Sequence, residues 1–289
     1  MKIGIDSYCY HRYFGEVYPF QKDPARRWTA TEFVARAAEL KVDGVSLETC
    51  FLSCFDRGFM RSLKDQLDRH HLDRVLAWGH PDGLEGGRNH AALQDLIRHI
   101  EVAKNMDADV MRIVGSSLRF RNESAAPQIE RLAPMLREAV QFAAKQGVVL
   151  AIENHIDFTA RELLSLIDKV GSPFLGVNFD TGNALRLFED PVEEARLLAP
   201  HVHATHVKDV SPRRGGSPRE WNFWESVPCG QGVVDITGVM GVLKRQRYEG
   251  TLCVEVDCLR DDWEEDSAVE TSVDYLRQQN AVLDAQPLV

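Results

Sequence analysis

Long apolar runs, paired cysteines, a glycine-rich phosphate turn and an excess of basic residues are all missing from this sequence. Each gap removes a class of protein. No run approaches the ~20 apolar residues of a membrane span, so a soluble chain without a membrane partner is expected. The six cysteines (Cys9, Cys50, Cys54, Cys229, Cys253, Cys258) show no CxxC spacing. That argues against a zinc knuckle or a disulfide scaffold, and for cytosolic thiols. MKIGIDSY at the start carries no signal-peptide pattern, which gives a cytoplasmic expectation. A formal net charge of −10 opposes a phosphate-backbone binder, so no nucleic-acid partner is expected. No Gly-rich turn follows an early strand, which counts against a doubly wound dinucleotide fold.

What is present reads as repeated strand–helix units. The chain has 289 residues, 44% of them hydrophobic, enough for a large core. That length fits a single (β/α)8 TIM barrel, for which ~250 residues is typical. Apolar, β-branched runs occupy 2–6, 43–48, 74–79, 109–114, 148–153, 174–179, 202–207 and 251–256. Helical patterns follow them near 29–40, 58–70, 91–105, 127–146, after Thr159, and over 191–200, 235–246 and 264–283. Thr29 with Glu32, and Thr159 with Glu162, have capping-box spacing. Eight alternations without a linker predict an α/β chain forming one barrel domain over 1–289. Two connections, 7–28 and 209–234, exceed the ~2–6 residues usual for such units. Both follow strands, so both belong to the C-terminal face, where barrel enzymes keep their chemistry.

Four polar residues end four of the apolar runs: Glu153 in VVLAIENH, Asp180 in FLGVNFDTGN, His206 in HVHATHVKDV and Glu255 in TLCVEVDC. Their intervals of 27, 26 and 49 residues put the first three on consecutive strands. Singly, each has a structural reading as a helix cap, an ion-pair partner or a hydrogen-bonded core histidine. Together, three carboxylates and an imidazole on one rim make a hard site that suits Mn²⁺, with Mg²⁺, Co²⁺ or Zn²⁺ as alternatives. His155, two residues beyond Glu153, would share its face if the strand ran on. A metal chelated by adjacent hydroxyl and carbonyl oxygens acidifies the neighbouring C–H. A carboxylate or imidazole then takes the proton, and the enediolate is stabilised electrostatically. Reprotonation on the other face is epimerisation, and on the other carbon isomerisation. Expulsion of a β-substituent is a lyase reaction. The four residues do not choose among these.

The segments AIENH, NFDTGN, HVKD, PCGQGVVD and G-x-L-C-V-E resemble the sugar phosphate isomerase/epimerase family of xylose-isomerase-like barrels. The resemblance implies that Glu153, Asp180, His206 and Glu255 bind one divalent metal, often manganese. It also implies that Glu153 and Glu255 are acid and base on either side of the sugar carbon, with His155 a further candidate base. The family commonly has D-x-x-H where this chain has Asn183, a departure from the simple ketose-epimerase pattern.

The long loops are aromatic. Tyr8, Tyr10, Tyr13 and Tyr18 crowd the first, beside Phe14, Phe20 and His11. They either wall the pocket against a sugar or an aromatic group or fold the loop onto the rim. Trp221, Phe223 and Trp224 in the second wall the pocket, anchor the loop or meet a partner subunit. Trp78 and His80 close the third strand. Arg119 and Arg121, with Ser116 and Ser117, and Arg213 with Arg214, either grip a phosphate or carboxylate or stay solvated. Without a Gly-rich nest, an unphosphorylated sugar or glycoside is expected. The expected substrate contacts are Tyr8, Tyr10, Trp78, His80, Asn183, Trp224 and Arg213.

The leading expectation is a metal-dependent isomerase or epimerase of a small-molecule sugar or keto-sugar, as a homo-oligomer. Its rival is a lyase on 3-oxo-glycosides, similar to the catalytic subunits of bacterial C-glycoside deglycosidases. Asn183, His155 and the tyrosine-rich loop fit that rival, which would need a small partner subunit. An abasic-site endonuclease would need further histidines for three zinc ions and a basic groove. A non-catalytic sugar-binding barrel leaves the four residues unexplained.

Overall fold

Apolar runs that are buried on both faces become parallel strands, because only flanking helices cover a sheet on both sides. The computed structural model describes residues 1–80, 82–218 and 220–285. Its barrel strands are β1 (Lys2–Asp6), β2 (Gly44–Glu48), β3 (Asp73–Ala77), β4 (Val110–Ile113), β5 (Val149–Glu153), β6 (Leu175–Asp180), β7 (Val202–Val207) and, after a hairpin, β10 (Thr251–Val254). They close in the order β1-β10-β7-β6-β5-β4-β3-β2, every neighbour parallel. The hairpin strands β8 (Asp209–Pro212) and β9 (Trp224–Val227) pair antiparallel in a separate sheet. Among the described residues, no helix is long and apolar enough to cross a membrane.

Helices return the chain after each barrel strand: Ala30–Glu39, Arg57–Arg69, His90–Asn105, Ala125–Gln146, Ala160–Val170, Pro191–Leu198, Ile236–Arg245 and Glu265–Asp284. Both expected capping boxes form. The apolar alternates of the strands, among them Ile5, Leu47, Ile113, Ile152, Phe179 and Val254, are buried in the main core. With a two-residue period, the residues between them are left for the barrel interior. There they are unusually polar: Asp6, Glu48, Arg112, Glu153, Asp180 and His206 are all buried.

Register then places the polar residues side by side. Asp180 is paired with His206 across β6 and β7, and Glu153 with Asn178 across β5 and β6. The strand β10 stops at Val254 and β3 at Ala77, so Glu255, Trp78 and Gly79 lie just beyond their strands. The aspartate of HVKD has a structural task. Asp209 accepts from the N–H groups of Gly230, Gly232 and Val234, which fixes the PCGQG turn. A Cβ on Gly232 would lie 2.1 Å from Asp209 Oδ1, so the close approach requires glycine there.

Candidate active site

Glu153, Asp180 and His206 present ligand atoms that all lie within 4.8 Å of one another, and all three residues are buried. A tight network fixes Asp180. Asn154 Oδ1 accepts from its N–H (2.6 Å), Asn154 Nδ2 donates to its carbonyl (2.9 Å), and its Oδ1 accepts from the N–H of Gly182 (2.8 Å) and Asn183 (3.2 Å). Glu255 joins from just beyond β10, its Oε1 lying 3.2 Å from His206 Nδ1; Glu153 Oε2 lies 3.7 Å from the same nitrogen. The strand-end reading therefore brings its four residues together, three of them in one cluster.

Two cations bridge the acids. Arg112, from β4, donates through Nε to Glu153 Oε2 (2.5 Å) and lies 3.4 Å from Glu48 Oε1. Lys208 Nζ lies 2.6 Å from Glu255 Oε2, 3.0 Å from Asp180 Oδ2 and 3.4 Å from Asp257 Oδ2. Arg186 lies 3.7 Å from Asp257 and stacks over Trp221 at 4.5 Å. Both oxygens of Glu153 are engaged, since Asn183 Nδ2 donates to Oε1 at 3.1 Å.

Above the cluster opens a cavity of about 520 Å³. Its lining includes Tyr8, Glu16, Tyr18, Glu48, His80 and Arg112. His155, Asn183, Lys208, Trp221, Glu255 and Asp257 complete much of the rest. Of the expected substrate contacts, Tyr8, His80 and Asn183 line it. Tyr10 does not. It is buried against Trp28 and Phe33, with its hydroxyl on Asp266. Tyr13 packs on Trp28, and Phe14 stacks on Phe51. The first loop thus spends these rings on folding itself against the barrel. Trp78 is also misassigned: it is buried and donates its indole N–H to Asp95 (2.9 Å), away from the cavity. Trp224 lines a small neighbouring cavity of about 50 Å³, which it shares with Trp221. Arg213 pairs with Glu220 within the hairpin loop.

Asp6, Glu16, Tyr18, Glu48, Arg112, Lys208, Trp221 and Asp257 escaped the selection of site residues. Lys208 and Asp257 each sit two residues beyond a chosen one, so strand periodicity alone could have found them. Asp6 and Glu48 end strands of their own. Arg112 lies inside an apolar run, and Glu16 and Tyr18 depend on a loop path that local sequence does not encode.

Burial governs the electrostatics. It pushes Glu48 up to about 8 and Asp180 up to about 7, against the pull of Arg112 and Lys208. Burial also acts to raise Glu153 and Glu255, but Arg112 in the first case and Lys208 in the second outweigh it, leaving both below the usual range. Burial opposes charge on His206, but Glu255 beside it wins and raises it well above an ordinary imidazole. His155 is pushed down to about 4 by burial, so it is neutral at pH 7.

Six buried carboxyl groups (Asp6, Glu48, Glu153, Asp180, Glu255, Asp257) thus crowd around three permanent cations (Arg112, Arg186, Lys208) and His206, whose charge Glu255 favours. Both His206 ring nitrogens have no hydrogen-bond partner, and Asp180 Oδ2 has none beyond its ion pair with Lys208. Crowded buried carboxyl groups and buried nitrogens without a hydrogen bond are costly, and a divalent cation relieves both. The donor set fits such an ion.

Residues 34–279 match the family described as xylose isomerase-like TIM barrel, and the chain belongs to that family. It is 24% identical over 233 residues to a putative L-ribulose-5-phosphate 3-epimerase of Escherichia coli, covering 79% of this chain and 72% of the relative. It is 27% identical over 128 residues to a 3-oxo-isoapionate decarboxylase of Pectobacterium atrosepticum, covering 44% and 45% of the two chains. Several curated relatives are matched over about half of their length. A solved structure of L-ribulose 3-epimerase superposes with a TM-score of 0.74 at 15% identity, covering 98% of this chain and 95% of that one, which speaks to the fold.

Proposed function

We propose that this protein is a divalent-metal-dependent isomerase or epimerase that moves a proton beside the carbonyl of an unphosphorylated keto-sugar. The observation carrying this reading is the cavity itself. It combines a buried Glu–Asp–His cluster with a lining that presents no unpaired lysine or arginine among the described residues. Arg112, Lys208 and Arg186 are each committed to site carboxylates. Arg119 and Arg213 pair with Asp82 and Glu220 and lie off the lining.

Glu153, Asp180, His206 and Glu255 would hold the ion, most suitably Mn²⁺. When bound, the ion supplies Lewis-acid polarisation of a carbonyl. The residues do the rest. His155, neutral and with Nδ1 unpartnered, is placed to take the proton from the carbon beside the carbonyl. Glu153 and Glu255 are the complementary proton carriers, one on either side of the sugar carbon. Arg112 and Lys208 hold those carboxylates in place and ionised. Tyr8, Tyr18 and Glu16 form a hydrogen-bonded group at the mouth that suits sugar hydroxyls; Tyr8 donates to Glu16 Oε1 at 3.0 Å and meets Tyr18.

Asn183 and the decarboxylase relative favour a lyase as the second reading. The aromatic wall that an aryl glycoside would need is weak, because Tyr10, Tyr13 and Phe14 are packed away from the cavity. A matched pair tests the substrate class: L-ribulose and L-ribulose 5-phosphate offered to Mn²⁺-loaded protein. Turnover of the free sugar with a higher kcat/KM is expected. Preference for the phosphate would overturn the unphosphorylated reading.

A further inference from the structure

Asp6 and His206 face one another among the buried residues of the site. Both are fully buried. Asp6 Oδ1 is already used, accepting from the Tyr8 N–H at 2.6 Å. Asp6 Oδ2 has no hydrogen-bond partner, and neither has His206 Nε2. The two atoms are 3.4 Å apart. The other ring nitrogen, Nδ1, faces Glu255 and Glu153. Strand order explains the meeting. The strand β10 separates β1 from β7; Cys253 is in register with Gly4 on one side and His206 on the other. Asp6 lies two residues further along β1, on the same face as Gly4, and reaches across the row.

We infer that Asp6 is a positioning residue for His206, holding the Nε2–H so that Nδ1 keeps its lone pair toward Glu255 and Glu153. An imidazole has one proton to place when neutral, and the group beside one nitrogen decides the state of the other. A carboxylate accepts only, so it draws the proton to Nε2 and frees Nδ1. Such carboxylate partners also raise ligand basicity, and losing one typically costs about 10–100-fold in metal affinity. The backbone donor on Oδ1 keeps the carboxylate from turning away. Nothing in the family resemblance or the choice of strand-end residues pointed to this position. The inference rests on the metal reading above.

The test uses Mn²⁺ alone, titrated into the metal-free full chain and followed by the EPR signal of the free ion. Wild type, Asp6→Asn and Asp6→Ala are compared, with the melting temperature of each metal-free protein measured alongside. Asparagine keeps an acceptor for the Tyr8 N–H but offers Nε2 an N–H donor, which drives the imidazole proton to Nδ1. Both variants are expected to bind Mn²⁺ at least 10-fold more weakly, Asp6→Asn doing so with little change in melting temperature. Wild-type affinity in both variants would overturn the inference while leaving the metal reading intact. A wild type that binds no Mn²⁺ would overturn both. A readout independent of the variants is the ¹⁵N spectrum of His206 in Zn²⁺-loaded wild type. A proton on Nε2 supports the assignment, and a proton on Nδ1 contradicts it.

Discussion

The cavity has a strand side and a loop side, and they are built on different principles. On the strand side, Glu153, Asp180, His206 and Glu255 are set by register, and buried cations hold their carboxylates. On the loop side, Tyr8, Glu16 and Tyr18 are set by one another and by rings that pack out of sight behind them. The first side concentrates charge that water cannot screen. The second offers hydroxyls and one carboxylate at the mouth. The proposed function assigns chemistry to the first and recognition to the second, so substitutions should separate into effects on kcat and effects on KM.

The largest expected effect comes from the strand side. Glu255→Gln removes a charge and a proton carrier together, and should lower turnover by about 10²–10⁴-fold, the range for a lost acid–base group. His155→Ala should lower kcat by a similar factor while Mn²⁺ affinity stays near wild type. Unchanged kcat in that variant would make His155 structural and move the proton transfer elsewhere.

A contrast in stability comes next. Arg112→Met strands Glu48 and Glu153 without their cation, and removing one partner of a buried pair costs about 3–5 kcal/mol. Arg213→Ala removes an exposed pair with Glu220, for which under about 1 kcal/mol is expected. Urea unfolding of the metal-free proteins measures both. Similar losses in the two variants would erase the distinction between the sides.

Tyr18→Phe then sharpens the loop side. It deletes one hydroxyl from the Tyr8–Tyr18–Glu16 group, worth about 1 kcal/mol, and should raise KM roughly fivefold with kcat little changed. A pH-dependent effect lies between two loops. Asp157 accepts from the N–H groups of Ser116 and Phe158. Burial nevertheless pushes its carboxyl up to about 7. A raised carboxyl favours the folded state below its unfolded value near 3.9, and that contribution is lost as pH rises toward about 7. Asp157→Asn should therefore flatten the fall in melting temperature between pH 4 and 7. An undiminished slope would assign the fall to other groups.

The barrel was readable because its strands and returning helices announce themselves locally: β-branched runs, helical spacing, and the Thr29–Glu32 and Thr159–Glu162 boxes; the hairpin of β8 and β9 inside the expected 209–234 connection was not. The candidate site was readable only where a polar residue ends such a run. Glu153, Asp180 and His206 obey that rule and converge. Arg112 hides within an apolar run, because its charge is neutralised by residues from β2 and β5, far away in sequence. The first loop misled in the other direction. Its rings look alike in sequence, yet Trp28 and Phe33 claim Tyr10 and Trp28 claims Tyr13, leaving Tyr8 and Tyr18 for the cavity. Tertiary partners decide such cases, and local composition does not name them.

The central claim is that this cavity deprotonates a keto-sugar with the help of a divalent ion. Solvent deuterium incorporation tests it most directly. Protein is stripped with chelator, divided, and one half reloaded with Mn²⁺; both halves then meet L-ribulose and D-allulose in D₂O, and NMR follows the carbon beside the carbonyl. Deuterium should enter at that carbon only with the reloaded protein. Equal exchange by the stripped protein, or none by either half across a wider set of ketoses, would contradict the account.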